Sequence, residues 1–344
     1  MSLSELIKAQ AYGLGFDLAG ITRLGPSETA GAFNDWLERG FAGDMDYLPR
    51  WAEKRSDTTL PFPGVSSAVV VGLNYGGTLP AGPIARYARG DDYHEVMWRM
   101  LDSLHEWIDR SLGRATRGKS YVDTGPILER ELARRAGLGW QAKNTNLINP
   151  EIGSFFFIGA LFIDLDLDPD APFEADRCGT CTRCLEACPT GAIVEPRVLD
   201  ATRCISYLTI ETRGAIPEEF RDRIGSLIYG CDICQDVCPW NVSFSRDVEL
   251  DALKPRDEWN REARTLAREF LSMDEMNFRT AFKGSAMKRA KLRGLKRNAA
   301  TVLGNLGSAD DLHVLKSLDT GDAMIQEHVL WATGQIRSRA EGSE

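Results

Sequence analysis

The first 170 residues alternate between short apolar runs and one long helical stripe. Residues 16–21, 67–75 and 154–165 are apolar runs flanked by turn residues, and we predict that each forms a strand. Residues 94–112 instead place apolar side chains three and four positions apart, which is typical of a helix packed against a core. This alternation predicts a mixed α/β (α+β) domain over residues 1–168.

Residues 120–123 have the character of a strand end, and the sequence after them predicts a helix. Pro126 suits a first helical turn, and the pattern continues to Ala136 before a glycine stops it. Asp123 then stands just before this helix, where an aspartate commonly caps the first turn. An acidic segment with two prolines, 164–172, predicts the boundary after this domain.

The C-terminal residues, 246–344, predict a linker, a basic segment and a short all-α region. The sequence of residues 302–306 recurs loosely at 332–336, which places Gly304 and Gly334 thirty residues apart. Helix pairs repeated at such a period are typical of HEAT-like units. Modules of this kind usually present a binding surface rather than a catalytic centre.

The composition is that of an ordinary globular protein. Of 344 residues, 43% are hydrophobic and 26% are charged, which excludes a disordered chain and allows two to three domains. The most apolar stretch, 155–163, is far shorter than the ~20 residues that a membrane helix needs. The first residues also lack the layout of a signal peptide. We therefore expect a cytoplasmic monomer with no membrane partner.

The net charge of −9 conceals a strongly basic segment. Residues 276–309 contain eight lysines and arginines and no acidic residue. Such a segment can be the solvated face of a helix, or it can mark a surface that binds nucleic acid.

All eight cysteines lie between positions 178 and 238, in two runs. The first run is C-x2-C-x2-C-x3-C-P, the spacing of bacterial ferredoxins, and the second run also ends in C-x3-C-P. In this motif the closely spaced thiolates ligate one cubane, and the cysteine after the x3 gap ligates the other. The rule assigns one [4Fe–4S] cluster to Cys178, Cys181, Cys184 and Cys238. It assigns the second [4Fe–4S] cluster to Cys188, Cys204, Cys231 and Cys234.

Other uses of eight cysteines fit the sequence less well. Two zinc sites of four cysteines would match the count but not the two Cys-Pro endings. A disulfide framework would scatter the cysteines more widely and would require an oxidising compartment. We therefore predict a ferredoxin-like domain over 169–245, in which about 26 residues between Cys204 and Cys231 form an insertion.

Two clusters imply electron transfer, so we expect the protein also to have a site where the electrons are used. No G-x-G-x-x-G follows a predicted strand, and no P-loop lysine motif is present. The sequence therefore indicates neither a nicotinamide site nor an ATP site.

Six segments in unbroken order resemble the epoxyqueuosine reductase family, and together with the cysteine runs they span nearly the whole chain. Two of them are the stretch VDTGPILER at 122–130, which contains Asp123, and the stretch AGLGWQAKN at 136–144. The others are RYARGDDYH at 86–94, EIGSF at 151–155, CISYLT at 204–209 and YGCDICQ at 229–235.

The resemblance implies a reaction and a second cofactor. Enzymes of this family bind cobalamin between an α/β domain and a ferredoxin-like domain. An external low-potential donor of the ferredoxin or flavodoxin type supplies electrons through the clusters. The reaction reduces epoxyqueuosine to queuosine at the wobble position of tRNA, and the partner is an anticodon stem-loop with a GUN anticodon.

The resemblance also implies roles for particular residues. Asp123 corresponds to the family's proton donor, although capping the helix after it remains the alternative. Residues 86–94 are expected to line the substrate entrance. The expected cobalamin contacts, each with an alternative as a surface charge or a core side chain, are Arg55, Asp123, Lys143, Asn144, Leu147, Ile158, Ser206, Arg213, Asp232 and Ile233.

A tRNA substrate gives the basic segment a role, because lysines and arginines that neutralise phosphates supply much of the affinity for nucleic acid. The expected tRNA contacts are Lys283, Lys288, Arg289, Lys291, Arg293, Lys296 and Arg297.

Three other functions fit part of the sequence. A two-cluster electron carrier with a docking domain explains the cysteines but leaves the N-terminal domain unused. A corrinoid reductive dehalogenase would use the same cofactors on a small substrate. A tRNA-binding scaffold with structural clusters would bind no corrin.

Overall fold

The N-terminal part of the chain is an antiparallel sheet with helices on both faces. A computed structural model describes residues 1–318 and 321–341. The elements up to residue 163 are α1 (Leu3–Gly13), β1 (Leu18–Arg23), α2 (Ala30–Glu38), α3 (Tyr47–Arg50), α4 (Ala52–Ser56), β2 (Ser67–Asn74), α5 (Tyr93–Leu112), β3 (Gly118–Tyr121), α6 (Glu129–Arg135), β4 (Trp140–Gln141), β5 (Leu147–Ile148) and β6 (Phe156–Ile163).

The main sheet has the strand order β1-β2-β6-β3, and every neighbouring pair is antiparallel. Every residue of β2 is buried, because successive side chains enter different cores. Val69 and Val71 pack with α1 and α5, whereas Ala68 and Val70 pack with α6 on the other face. Burial on both faces explains why these strands read as continuous apolar runs.

The three predicted strands and the long helix are confirmed, with shifts of one to two residues at their ends. The helix predicted to open at Pro126 instead begins at Glu129, and Leu128 precedes it without a side-chain cap. Asp123 therefore does not cap this helix. Its backbone is left-handed, with φ of 55°, and residues 122–128 form a loop between β3 and α6.

The cysteine-containing part of the chain consists of short helices and one two-stranded ribbon. Its elements are α7 (Arg183–Ala187), β7 (Ile193–Glu195), β8 (Val198–Leu199), α8 (Ile205–Ile210), α9 (Glu218–Arg221), α10 (Ile233–Asp236) and α11 (Pro239–Phe244). Helices α7 and α10 pack against each other, which brings the two cysteine runs together.

From residue 263 onward, the described part of the chain is mostly helical, as predicted. It forms α12 (Ala263–Ser272), α13 (Glu275–Ala281), α14 (Lys291–Leu306), α15 (Leu312–Lys316) and α16 (Ala323–Glu341). Helix α14 packs between α12 and α16. A Cβ at Gly304 would lie 2.2 Å from the Trp331 ring, so a glycine at this position lets α14 and α16 pack closely. A Cβ at Gly334 would meet no neighbouring atom within 4 Å. The two glycines of the predicted repeat therefore have different roles. In the described ranges, no helix is long and apolar enough to cross a membrane.

Candidate functional site: two thiol sets and an aspartate loop

The first predicted cysteine set surrounds a single cavity. Four thiols line a space of about 170 Å³, those of Cys178, Cys181, Cys184 and Cys238. The first three come from the loop before α7 and from the start of that helix, and Cys238 directly precedes α11. All eight cysteines are free thiols, so the disulfide alternative is not what the structure forms.

A proline sets the position of the fourth thiol. Pro239 opens α11 and directly follows Cys238. This arrangement carries Cys238 back to the loop of the first cysteine run, as the ferredoxin rule predicts. The effect of neighbouring thiolate charges on the pKa of Cys184 also indicates that Cys238 lies close to the first three cysteines. Burial raises the pKa of the Cys184 thiol, and the charges of Cys178, Cys238 and Cys181 raise that pKa further.

The second predicted set also comes together. Cys188 follows α7, Cys204 precedes α8, and Cys231 and Cys234 lie at the start of α10. Burial raises the pKa of the Cys234 thiol well above its usual value, and the charges of Cys204, Cys231, Cys184 and Cys188 raise it further. Binding of a metal centre to thiols releases their protons, because the thiolate is the ligand.

The four thiols of the first set line a cavity. Within the part of the chain that the structure describes, no three Cys, His, Asp or Glu side chains are placed to hold a single metal ion. Four thiols around a cavity suit a cubane, whose four iron atoms each take one thiolate.

Two N–H groups donate hydrogen bonds to cysteine sulfur atoms, and the cysteine motif does not reveal either of them. The indole Nε1–H of buried Trp140 donates to Cys178 Sγ at 3.4 Å, and the Ala192 N–H donates to Cys188 Sγ at 3.3 Å. Hydrogen bonds to cluster sulfur are one of the means by which a protein sets a cluster's potential.

Lys143 and Asn144 contact the cysteine loops. Lys143 Nζ donates to the carbonyl oxygens of Gly179 and Cys181, at 2.6 and 3.0 Å. Asn144 Nδ2 donates to the Cys234 carbonyl oxygen at 3.3 Å. Both side chains thus tie the α/β domain to the thiol sites, a role that the sequence did not predict for them.

Asp123 is the exposed centre of a second site. Its side chain is 66% exposed, and Tyr93 Oη donates to Asp123 Oδ2 at 2.7 Å. His94 Nε2 lies 3.9 Å from the same oxygen, while His94 Nδ1 lies 2.7 Å from Asp92 Oδ1. Tyr93 and His94 thus lie beside Asp123, whereas Arg86, Ala88 and Arg89 are buried. That residues 86–94 line the substrate entrance stays a prediction.

Glu129 holds the loop that carries Asp123. The Asp123 backbone N–H donates to Glu129 Oε1 at 2.7 Å. Burial and then the nearby Asp123 charge raise the pKa of Glu129 to about 8, against the lowering effects of the Asp123 N–H, Arg130 and Arg55. The sequence carried a weak sign of this residue, since it is a carboxylate within the resembling segment 122–130.

Aromatic rings form the base beneath Asp123. The Tyr93 ring stacks on Phe157 at 4.1 Å between centroids, and on His94 at 4.0 Å. Tyr87 packs edge-on against Tyr93 at 6.1 Å. These rings fix the Tyr93 hydroxyl, because they leave its side chain no alternative rotamer without displacing the core.

Arg55 lies at the same site, on α4. It is buried, and Nη1 donates to the Leu48 carbonyl oxygen at 3.3 Å. Burial lowers the pKa of Arg55, against the raising effect of Tyr47 and Glu129. The charges of Arg55 and Asp123 both act on the pKa of Glu129, so the two residues lie near the same carboxyl.

Ser206 and Arg213 belong to the segment that begins with α8. Arg213 Nη1 donates to the Arg289 carbonyl oxygen at 3.1 Å. Next to Ser206 on α8 is Tyr207, whose hydroxyl accepts a hydrogen bond from the Asp44 N–H at 2.6 Å. This segment therefore faces the loop that precedes α3 and Arg55.

The side chains of three other expected cobalamin contacts already have partners within the protein or lie in its core. Asp232 is buried, accepts from the Arg86 N–H at 2.9 Å and pairs with the Arg86 guanidinium at 3.1 Å. Leu147 is buried and Ile158 is half-buried, in one apolar cluster. Ile233 begins α10. That these residues contact cobalamin stays a prediction.

Arg297 is wrong as a tRNA contact. It is 1% exposed, and its guanidinium donates to the carbonyl oxygens of Leu208, Thr212 and Gly214. The periodicity of basic residues did not reveal this, because Arg297 lies on the face of α14 that packs on the cysteine-containing region.

The rest of the basic segment lies nearer to the solvent. Arg289 pairs with Glu211 through two hydrogen bonds of 2.8 and 2.7 Å, and Arg293 pairs with Asp322. Lys296 is half-buried. The exposed lysines of the segment are Lys283, Lys288 and Lys291.

Two family models match the chain. Residues 177–241 match the 4Fe-4S double cluster binding domain, and residues 55–124 match the family described as epoxyqueuosine reductase QueG, DUF1730. The second match begins at Arg55 and includes Asp123.

Relatives and solved structures agree with these matches. The epoxyqueuosine reductase of Escherichia coli K12 is 40% identical over 97% of this chain and 89% of its own length. That of Leadbetterella byssophila is 43% identical over 87% of this chain and 98% of its own length.

The fold is similar to a crystal structure of epoxyqueuosine reductase with an epoxyqueuosine-modified tRNA-Tyr stem loop. The TM-score is 0.87 at 32% identity, over 97% of this chain and 90% of the other. A Bacillus subtilis epoxyqueuosine reductase, solved with its catalytic aspartate loop swung out of the active site, gives a TM-score of 0.85 at 31% identity, over 97% and 90% of the two chains. With relatives this similar along nearly its whole length, the chain belongs to the epoxyqueuosine reductase family.

Proposed function

We propose that this protein reduces epoxyqueuosine in tRNA to queuosine. The observation that carries the proposal is the exposed Asp123, whose carboxyl accepts from Tyr93 and whose backbone donates to Glu129, in a chain that also has two sets of four thiols. A relative with the same fold has been solved with an epoxyqueuosine-modified stem loop.

The two thiol sets would hold two [4Fe–4S] clusters. Cys178, Cys181, Cys184 and Cys238 line a cavity, and the second four lie at the end of α7, before α8 and at the start of α10. When bound, such clusters transfer single electrons, which an external low-potential donor of the ferredoxin or flavodoxin type would supply.

Cobalamin would lie between the α/β domain and the cysteine-containing region. The expected contacts come from both sides, since Arg55 and Asp123 belong to the first, and Ser206 and Arg213 to the second. Tyr47, on the short helix before Arg55, has its pKa raised by burial and then by the charges of Glu211 and Asp123, so both sides approach one another here. The cofactor, when bound, would supply a cobalt centre for the reduction.

The role of Asp123 is to donate a proton to the oxygen that leaves the substrate. Converting an epoxide to an alkene and water consumes two electrons and two protons. Asp123 is the exposed acid of the site, and the Tyr93 hydroxyl fixes the orientation of its carboxyl. Glu129 fixes its backbone. The chain thereby holds this carboxyl at one defined position, and general acid catalysis requires such a fixed position.

The basic segment would bind the anticodon stem-loop with a GUN anticodon. Lys283, Lys288 and Lys291 are exposed, and Arg289 and Arg293 remain partly accessible beside their carboxylate partners. Access to the wobble nucleotide requires that its base be splayed out of the stack, and backbone contacts of this kind hold the loop in position.

The test is turnover of the natural substrate class. Protein reconstituted anaerobically with iron, sulfide and cobalamin is incubated with an epoxyqueuosine-containing anticodon stem-loop and a strong chemical reductant, and the nucleosides are read by mass spectrometry. We expect queuosine. If fully loaded protein forms none, while the Escherichia coli relative does so under the same conditions, the proposal is wrong.

A further inference from the structure

The cavity of the first thiol set opens among basic side chains. Lys143, Arg177 and Arg183 line it, and none of its lining residues is acidic. This is unexpected in a protein whose net charge is −9. Arg177 and Arg183 are exposed, and the loop between Cys178 and Arg183 is exposed on both sides of Cys181.

Aromatic rings connect this cavity to the surface. Trp140 Nε1 donates to Cys178 Sγ at 3.4 Å, and the Trp140 ring packs edge-on against Trp240 at 5.0 Å between centroids. Trp240 stacks on Phe244 at 5.4 Å, and Phe244 is 42% exposed. The Arg177 guanidinium lies 5.9 Å from the centre of the Trp240 ring.

A surface of exposed apolar and basic side chains around a redox centre suits a redox partner of opposite charge. Transient electron-transfer encounters bury little area, less than about 1,200 Å², and depend on complementary charge to orient the two proteins. The exposed Phe244 and Val242 on α11 provide the apolar part of such a contact. The two arginines provide its charge.

We propose that a small acidic protein of the ferredoxin class docks over the first thiol set, at the surface formed by Arg177, Arg183 and Phe244. This inference rests on the proposed function, because the docked protein is its electron donor. One electron leaves the reduced iron–sulfur centre of the donor and reduces the cluster held by the first set by one electron. No bond is made or broken, and each turnover needs two such transfers.

The same arginines could instead act only on the cluster, by stabilising its negative charge. The two roles differ in what they affect. A residue that tunes the cluster changes its reduction potential whatever the donor, whereas a docking residue changes only the reaction with a protein donor and its dependence on salt.

The experiment compares the reconstituted holoenzyme with its Arg177→Glu/Arg183→Glu variant. Reduction of the clusters is followed by stopped-flow absorbance, with either a reduced acidic bacterial ferredoxin or reduced methyl viologen as donor. We expect the variant to react about tenfold or more slowly with ferredoxin at low ionic strength, with the difference shrinking as salt rises. The rate with methyl viologen should change only as far as the measured cluster potentials change, because this donor does not need the docking surface. Binding of ferredoxin, measured by calorimetry, should weaken in parallel.

Two further variants sharpen the result. Phe244→Ala should also weaken ferredoxin binding, and Arg223→Glu, a charge reversal at another exposed arginine, should not. Equal ferredoxin rates in wild-type and Arg177→Glu/Arg183→Glu protein would overturn the docking site, and so would a changed cluster potential that accounts for a slower rate. Failure of the proposed function would look different, because methyl viologen would then also give no queuosine.

Discussion

The backbone N–H of Asp123 donates a 2.7 Å hydrogen bond to the carboxyl of Glu129, six residues further along the chain. Asp123 has a φ of 55°, a conformation that is costly for residues other than glycine and is milder for aspartate and asparagine. The hydrogen bond offsets part of that cost. Glu129 therefore acts as a positioning residue for the proton donor.

Replacing Glu129 tests this positioning role. Glu129→Ala removes the acceptor, so we expect the loop to populate other conformations and kcat to fall about 10–100-fold, the scale seen when a catalytic group is misplaced. KM for the stem-loop should change little. Glu129→Gln keeps an acceptor oxygen and should restore most of the rate near neutral pH. Steady-state kinetics of the two variants check this, and equal losses in both would contradict it.

Glu129 should also make stability depend on pH. Because its pKa in the folded protein, about 8, lies above the ordinary value of 4.5, the folded state holds a proton that the unfolded state has lost. The stabilising contribution is present below pH 4.5 and is lost as the pH rises through about 8.

The Glu129→Gln variant cannot lose that proton. Between pH 6 and pH 9, we expect the variant to gain roughly 2 kcal/mol in unfolding free energy relative to wild-type protein. Urea denaturation at the two pH values measures the difference. A difference that stays constant across this range would show that the carboxyl is already ionised at pH 6.

Asp123→Asn should stop turnover while leaving the fold intact. Asparagine tolerates the left-handed backbone and can accept from Tyr93, but it has no acidic proton to give. Cluster content and cobalamin binding, read from absorption spectra, should match wild-type protein. Queuosine formation at the wild-type rate would remove Asp123 from the mechanism.

Short motifs and apolar runs were enough to predict the thiol sites and the buried strands. The spacing of the cysteines determined which thiols meet, and Cys238 joins Cys178 around one cavity as that spacing predicted. Apolar runs located β2 and β6 because helices cover both faces of the sheet.

Contacts between segments that are distant in sequence could not be predicted in this way. The helix predicted from Pro126 begins three residues later, because the intervening loop is shaped around Asp123 and Glu129. Arg297 appeared to be one more basic residue, yet its partners lie more than eighty residues away in sequence. A charge pattern on one helix does not show which of its faces is buried.

Arg297 should therefore matter for stability. Arg297→Met leaves the carbonyl oxygens of Leu208, Thr212 and Gly214 without this donor. Leu208 is buried, whereas Thr212 is half-buried and Gly214 is exposed, so water can replace the donor at the last two. A buried group that loses its partner costs roughly 1–3 kcal/mol, so we expect a loss of about 2 kcal/mol. Urea denaturation measures it. A variant as stable as wild-type protein, with weaker tRNA binding, would reverse the assignment.

The exposed lysines should behave in the opposite way. Charge reversal at Lys283, Lys288 and Lys291 removes three potential phosphate contacts without disturbing buried groups. We expect KM for the stem-loop to rise at least about tenfold at physiological salt, and the dependence of binding on salt to become shallower, because fewer counterions are released. Cluster content and unfolding free energy should stay unchanged.

A matched control separates this local effect from a change in net charge. The variant with Arg99, Arg110 and Arg114 changed to glutamate alters net charge equally, at exposed positions on or just after α5. If the lysines contact tRNA phosphates, this control should raise KM far less than the lysine variant does, at the same ionic strength. If both variants raise KM equally, the long-range field of the protein accounts for the effect. An unchanged KM in the lysine variant would move the tRNA contacts to another surface.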